Sequence, residues 1–163
     1  MKILASLLVV LSFALGACVS INVGGGKTER ADDVEFKEPP EPFDDEDAGG
    51  VDEGWKNPKN GNSISYISEC GTKQDPTLET LRSGVLSTLT EIEVISEDKR
   101  SFNGREALRS EARGKVDGVE TRLDLMIFKK NNCIYIITYV ALPDSYDSDR
   151  KHFENFLDGF QAP

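Results

Sequence analysis

Hydrophobic and polar residues alternate along much of the second part of the chain. The alternation covers residues 63–68, 91–96, 106–116 and 120–130, and it predicts four β-strands because successive side chains of a strand point to opposite faces. Segment 106–116 also permits a helix, but the turn residues on both sides favour a strand. Residues 133–142 are almost continuously apolar, which is typical of a central strand covered on both faces.

Two further segments carry apolar residues at the spacing of a helix. Residues 76–89 follow an aspartate and begin with a proline, which suits the first helical position. In residues 147–160 the apolar positions are i, i+3, i+4 and i+7. Asn-Gly at 103 and Asp-Gly at 117 are typical hairpin turns. The predicted order is strand, helix, four-strand antiparallel meander and helix, an α+β sandwich with the helices packed on the sheet.

The start of the chain has the pattern of a targeting segment. Lys2 is followed by an apolar stretch over residues 3–15, which is 13 residues long and short of the ~20 that a membrane-spanning helix needs. Leu-Gly-Ala-Cys then ends at Cys18. This resembles the lipobox of bacterial lipoproteins. The resemblance implies that a signal peptide, residues 1–17, is removed and that Cys18 carries fatty acyl chains such as palmitate.

Lipid on Cys18 would anchor the protein to a membrane, and two or more chains are needed for stable attachment. Val19, rather than an aspartate, follows Cys18. By the same resemblance, the protein would lie in the outer membrane and face the periplasm of a bacterial cell envelope. Two alternatives remain open, an ordinary signal peptide with an incidental cysteine and an uncleaved short anchor.

An acidic segment separates the anchor from the remaining chain. Residues 27–53 contain twelve acids and three bases, a net charge of −9 in a chain whose net charge is −10. Few apolar groups and high charge predict disorder, because too little surface can be buried to offset the entropy of ordering. We therefore predict a lipidated N-terminus and acidic disordered tether over residues 18–54, followed by one folded domain over residues 55–163.

The three cysteines have different predicted roles. With Cys18 lipidated, Cys70 and Cys133 remain as an even pair in an oxidising compartment, which predicts a disulfide. Such a bond would stabilise the fold by roughly 3–4 kcal/mol. The alternative is two buried free thiols.

Candidate binding residues are one tryptophan and a group of arginines. Trp55, at the predicted domain boundary, is either a cap on the core or an anchor for a partner. The arginines, on the outward phase of adjacent predicted strands, are Arg105, Arg109, Arg113 and Arg122. They form either a solvated sheet face paired with neighbouring acids (Glu106, Glu111 and Asp124) or a basic patch for an anionic polymer, lipid headgroup or the acidic tether.

The sequence carries no catalytic signature that we recognise. It has no serine nucleophile elbow, phosphate loop or dinucleotide fingerprint. His152 is the single histidine, and the cysteine spacing does not match a zinc site. We expect no enzyme activity, no cofactor and no metal. A pI of 4.6 also argues against a nucleic-acid partner.

Three segments resemble the PsbP-like superfamily. They are FNGREA (102–107), CIYIITYVALPDSYD (133–147) and FENFLDGF (153–160), the last with Gly159 where the family usually has serine. The resemblance implies an antiparallel sheet with helices on both sides and a binding or accessory role without catalysis. Members often begin with an extra hairpin, whereas no strand is predicted here before Ser63.

The combined expectation is a membrane-anchored lipoprotein that presents a PsbP-like domain to an unknown envelope protein or polymer. The alternative is a structural linker between the outer membrane and the cell wall or another envelope component.

Overall fold

The computed structural model describes residues 29–163, so the predicted signal peptide and Cys18 lie outside the described residues. Within that range the strands form one antiparallel sheet in the order β1-β2-β3-β7-β6-β5-β4. The elements are β1 Asp44–Asp45, β2 Glu53–Lys56, β3 Ser63–Cys70, α1 Leu78–Leu86, β4 Thr90–Phe102, β5 Arg105–Val116, β6 Val119–Lys130, β7 Cys133–Ala141 and α2 Tyr146–Gly159. This confirms the α+β class and the four-strand meander β4 to β7.

Strand β7 lies at the centre of the sheet, as its continuous apolar sequence predicts. Tyr135, Ile137 and Tyr139 belong to the core beneath α2, whereas Ile134 and Ile136 belong to the core beneath α1. Alternate residues of one strand therefore fill two separate cores. The helices lie on opposite faces of the sheet, as predicted.

Both helices form close to the predicted positions. Helix α1 is shorter than the predicted 76–89 at both ends. Its N-cap is Thr77, whose hydroxyl oxygen accepts a hydrogen bond from the Thr80 amide, and its C-cap is Ser87. Asn103 and Asp117 adopt positive φ angles of 51° and 50° and are followed by glycines with positive φ. Both residues of each turn therefore have the left-handed conformation that a tight hairpin requires.

Strand β4 is longer than the alternating pattern at residues 91–96 predicts. It continues to Phe102, paired with β5 across two register shifts, and nearly all of its residues are exposed. Helix α1 reaches this edge strand only through charged side chains, in the pairs Arg82–Glu97 and Glu79–Lys99. Strand β4 therefore needs no buried face, and the hydrophobic alternation stops before the backbone pairing does.

The largest difference from the sequence prediction concerns residues 29–54, which are folded onto the domain. Glu29 forms a β-bridge with Cys70, and Glu35 forms one with Gln161. Phe36 packs against the aromatic core, and Phe43 is buried. Two strands, β1 and β2, also precede Ser63, contrary to the expectation that none does.

The prediction failed there because it averaged charge over the segment. The acids lie mostly on the exposed side, while a few widely spaced apolar residues supply the contacts with the core, namely Ala31, Val34, Phe36 and Phe43. The folded domain therefore begins no later than residue 29, and the predicted boundary at residue 54 is too late. Residues 18–28 of the predicted tether lie outside the described residues.

Candidate binding site

The four arginines predicted to face outward are the first candidates for a binding site. Of these, Arg109 is buried. Its guanidinium donates to both carboxylate oxygens of Asp124, at 3.0 and 2.6 Å, and also bonds Glu154 of α2. Burial opposes the charged form, but the two carboxylates outweigh it and hold the pKa of Arg109 well above its usual value. The part of this face around Arg109 is therefore covered by α2.

Arg122 takes part in a second cluster under the same helix. It bonds Glu111, and its guanidinium lies 3.9 Å from the centre of the Tyr146 ring. Arg150 of α2 lies 3.7 Å from Glu111. Burial raises the pKa of the Tyr146 hydroxyl, and the charges of Asp124 and Glu111 raise it further. These charges hold α2 on the sheet.

Of the remaining two arginines, Arg113 is directly opposite Arg122 on the neighbouring strand. Arg113 is exposed and paired with Glu93 of β4, while Arg105 begins β5 at the other end of the strand. Arg109, Arg113 and Arg122 thus share one face of β5 and β6, as the alternation predicts, but each is paired with an acid of the domain. The paired interpretation describes Arg109 and Arg122 better than the basic patch does, although their partners lie beneath a helix rather than in solvent.

Trp55 and His152 are also packed into the domain. The side chain of Trp55 is only 3% exposed, and its ring lies 5.5 Å from Phe36 and 5.2 Å from Phe156. This is the position of a cap on the core. The His152 ring lies 5.5 Å from the ring of the buried Phe43. Among residues 29–163, no group of three or more histidine, cysteine or acidic side chains is arranged to hold a metal ion.

Cys70 and Cys133 form the predicted disulfide. They are directly opposite each other at one end of the β3–β7 pair, with their Cα atoms 4.0 Å apart. Disulfides persist in oxidising compartments. The bond therefore suggests that the domain lies outside the cytoplasm.

A polar cluster joins the turn at residues 57–62 to helix α2. The Asp149 carboxylate accepts hydrogen bonds from the side-chain amides of Asn57, Asn60 and Asn62, at 2.9, 2.8 and 2.8 Å. Burial tends to raise the pKa of Asp149, but the three donors outweigh it and the pKa is lowered. This cluster fixes the start of α2 against the turn between β2 and β3.

The lowered pKa gives a pH prediction. We expect Asp149→Asn to destabilise the protein by about 1–3 kcal/mol at pH 7, because an amide replaces an acceptor facing three donors. The folded carboxylate binds its proton less readily than the unfolded one, so its contribution is present above about pH 4 and is lost as pH falls through the folded pKa. Urea unfolding at several pH values should show the difference from wild type shrinking in acid. Asp147→Asn, on the exposed side of the same helical turn, is the control, and an equal effect there would contradict the prediction.

An apolar cavity of about 130 Å³ lies on the α1 face of the sheet. Helix α1 lies over β5 and β6, which leaves the adjacent part of β3 and β7 without a helix above it. The C-terminal end of α1 forms one wall and the loop over residues 46–51 forms the other. The floor comes from alternate residues of two central strands, Ile67, Ile136, Thr138 and Val140 among them.

Two hydroxyl groups on the cavity floor form a hydrogen bond with each other. Ser65 Oγ and Thr138 Oγ1 are 2.9 Å apart. Because that bond satisfies both residues, the floor presents little unmet polarity and favours an apolar occupant. Sequence reasoning missed the cavity because it depends on the length of α1 and on the path of the 46–51 loop. The small residues Ala48-Gly49-Gly50 were the only local signal.

Comparison with known proteins gives similarity in structure only. A scan of known protein families finds no match, and no curated protein sequence matches the chain. Among solved structures, cyanobacterial PsbP (CyanoP) from Synechocystis is similar with a TM-score of 0.59 at 16% identity, over 91% of this chain and 99% of that chain. LpqN of Mycobacterium tuberculosis, described as involved in cell envelope biogenesis, has a TM-score of 0.58 at 11% identity, over 85% and 87%. The domain therefore has the PsbP-like fold, which confirms the fold that the sequence resemblance implies.

Proposed function

We propose that this chain is a lipid-anchored protein of the bacterial cell envelope whose PsbP-like domain is a non-catalytic binding or accessory module. The observation that carries the binding role is the open apolar cavity beside α1. A cavity of this kind in an otherwise closely packed domain is where a partner or ligand can bury apolar surface.

The location is supported by two independent features. The Cys70–Cys133 disulfide fits an oxidising compartment. The Leu-Gly-Ala-Cys sequence ending at Cys18 resembles a lipobox, and Val19 after it favours the outer membrane with the domain in the periplasm. The similarity in fold to LpqN is compatible with an envelope role.

The non-catalytic assignment is supported by how the buried charges are used. The Arg109 guanidinium is shared by Asp124 and Glu154, and the Asp149 carboxylate is held by three amides. These partners come from the domain itself, and each group has a structural role. None of these groups lines the apolar cavity, whose lining has Glu46 as its one titratable side chain.

An accessory role near the membrane fits the chain better than a long-range link to the cell wall. The folded domain includes residue 29, so ten residues, 19–28, separate Cys18 from it, and the chain makes eleven Cα-to-Cα steps between them. Fully extended, such a segment reaches roughly 36–40 Å. The domain would therefore stay close to the surface to which Cys18 attaches.

Replacing the anchor residue tests the proposal. We expect Cys18→Ala to move the protein from the membrane fraction to the soluble periplasmic or secreted fraction, because each buried methylene of the lost chains contributes ~0.8 kcal/mol to attachment. The measurement is membrane fractionation with detection by antibody. Ser20→Ala, two residues away, is the control and should remain with membranes. Retention of Cys18→Ala on membranes washed with high salt would refute lipid anchoring.

A further inference from the structure

The apolar cavity has an acidic flank that indicates what it binds. Glu46 lines the cavity and belongs to the exposed run Asp44-Asp45-Glu46-Asp47. In the part of the chain that the structure describes, none of these four carboxylates forms an ion pair with a basic side chain. No lysine or arginine lines the cavity. The acidic run therefore disfavours anionic groups beside the cavity and favours cationic ones.

The volume of the cavity limits the size of the group that it can bind. About 130 Å³ is close to the ~150 Å³ of an engineered apolar cavity that holds one benzene molecule, and is well below the ~300–1,000 Å³ of pockets for drug-sized ligands. It fits one large apolar side chain. A whole amphiphile would leave most of its length outside.

Two exposed apolar residues extend this surface beyond the mouth of the cavity. Val119 is 54% exposed and lies opposite Val116, which lines the cavity. Leu142 is 45% exposed and follows directly after the end of β7, two residues beyond the cavity-lining Val140. An anchor pocket with an apolar margin is the arrangement found at protein–protein interfaces.

We propose that the cavity binds a basic segment of a partner protein, with one large apolar side chain inserted between α1 and the 46–51 loop and flanking lysines or arginines facing residues 44–47. The inference rests on the proposed function in one respect, that the domain is a binding module. It does not require the lipid on Cys18.

Fluorescence anisotropy of labelled peptides with the full chain tests this. The probe is the heptapeptide KKGFGKK, and two controls replace its phenylalanine by alanine or its lysines by glutamates. We expect binding of KKGFGKK to be about tenfold or more tighter than that of either control and to weaken as salt rises, since a buried anchor and opposite charges both contribute. Equal binding of the alanine peptide would overturn the anchor, and equal binding of the glutamate peptide would overturn the charge selection.

Matched variants locate the binding. Ser65→Leu fills the cavity floor and should abolish binding, whereas Ser101→Leu on exposed β4 should not. Leu142→Ser should weaken binding several-fold, whereas Ile95→Ser, which changes an equally exposed apolar residue (44%), should not. Glu46→Gln tests the acidic flank without altering the core, so the proposal stays testable if Ser65→Leu does not fold. Binding unchanged in both Leu142→Ser and Glu46→Gln would refute the site.

One further arm separates a peptide from a lipid. Octyl glucoside, a neutral amphiphile, is added below its micelle-forming concentration. No competition supports a peptide site, whereas full displacement of KKGFGKK at equal concentration would overturn the proposal in favour of a neutral amphiphile. Failure of Cys18→Ala to leave membranes would refute the anchor alone, because the peptide titration does not depend on it.

Discussion

Replacing Asp124 by alanine is expected to lower the free energy of unfolding by about 3–5 kcal/mol, because it leaves the Arg109 guanidinium buried without its main partner. Asp124 is fully buried and accepts two hydrogen bonds from that guanidinium. Glu154 stays in contact with Arg109, but it is partly exposed and cannot replace a partner inside the core. Urea or guanidinium unfolding of the purified protein measures the loss.

The controls separate loss of a buried partner from loss of an ion pair. Arg113 and Glu93 form a pair of the same chemistry on the neighbouring strands, but both side chains are exposed. Glu93→Ala should therefore change stability by less than about 1 kcal/mol. The double variant Arg109→Met with Asp124→Leu should recover much of the loss, because no buried charge is left unpaired. A loss below 1 kcal/mol for Asp124→Ala would contradict the role assigned to the pair.

The position of this pair shows where sequence reasoning was incomplete. Alternation correctly assigned Leu123 and Leu125 to one face of β6 and Arg122 and Asp124 to the other. Such alternation normally indicates a solvated second face. Here α2 covers an apolar and a charged part of the same sheet face. Its phenylalanines lie over β3 and β7, and its charged side chains lie over β5 and β6. The sequence shows the alternation on β6. It does not show that α2 lies above the polar face, because that position depends on the tertiary structure.

Local signals were reliable wherever a backbone requirement fixed them. The two hairpin turns need positive φ angles, which Asn-Gly and Asp-Gly supply, and the central strand needs apolar residues on both faces. The N-terminal segment has no such local requirement. Phe36 reaches Trp55, Tyr66 and Phe156 from a stretch with little regular structure, so only the assembled core reveals that it is folded.

The candidate site was the least predictable part for a similar reason. Sequence patterns report which residues are buried, and the cavity residues Ile136 and Leu123 look like any other core residues. The opening arises because α1 ends at Leu86 and the 46–51 loop stands on the other side. A cavity is set by the spacing between elements, which neither periodicity nor composition encodes. The acidic run beside it was visible in the sequence but was assigned to a tether.

Removing the disulfide is the second change expected to have a large effect on stability. We expect the double variant Cys70→Ser, Cys133→Ser to lose about 3–4 kcal/mol of stability, since the bond closes a 63-residue separation in the unfolded chain. The disulfide also lies beside the bridge between Glu29 and Cys70, where the described chain joins the sheet. Loss of the disulfide should therefore be accompanied by faster amide hydrogen exchange at residues 29–31 and at the adjoining ends of β3 and β7.

The third cysteine, Cys18, determines which background variant and controls the disulfide test needs. Cys18→Ser should be present in every sample, so that no mispaired disulfide forms, and by itself it should leave the stability of the domain unchanged. Reduction of the otherwise intact protein with dithiothreitol should reproduce the loss seen in the double serine variant, because both remove the same constraint on the unfolded chain. Equal stability of the oxidised, reduced and serine forms would mean that the packing of β3 against β7 alone holds this end of the sheet. The disulfide would then mark the compartment without contributing to the fold.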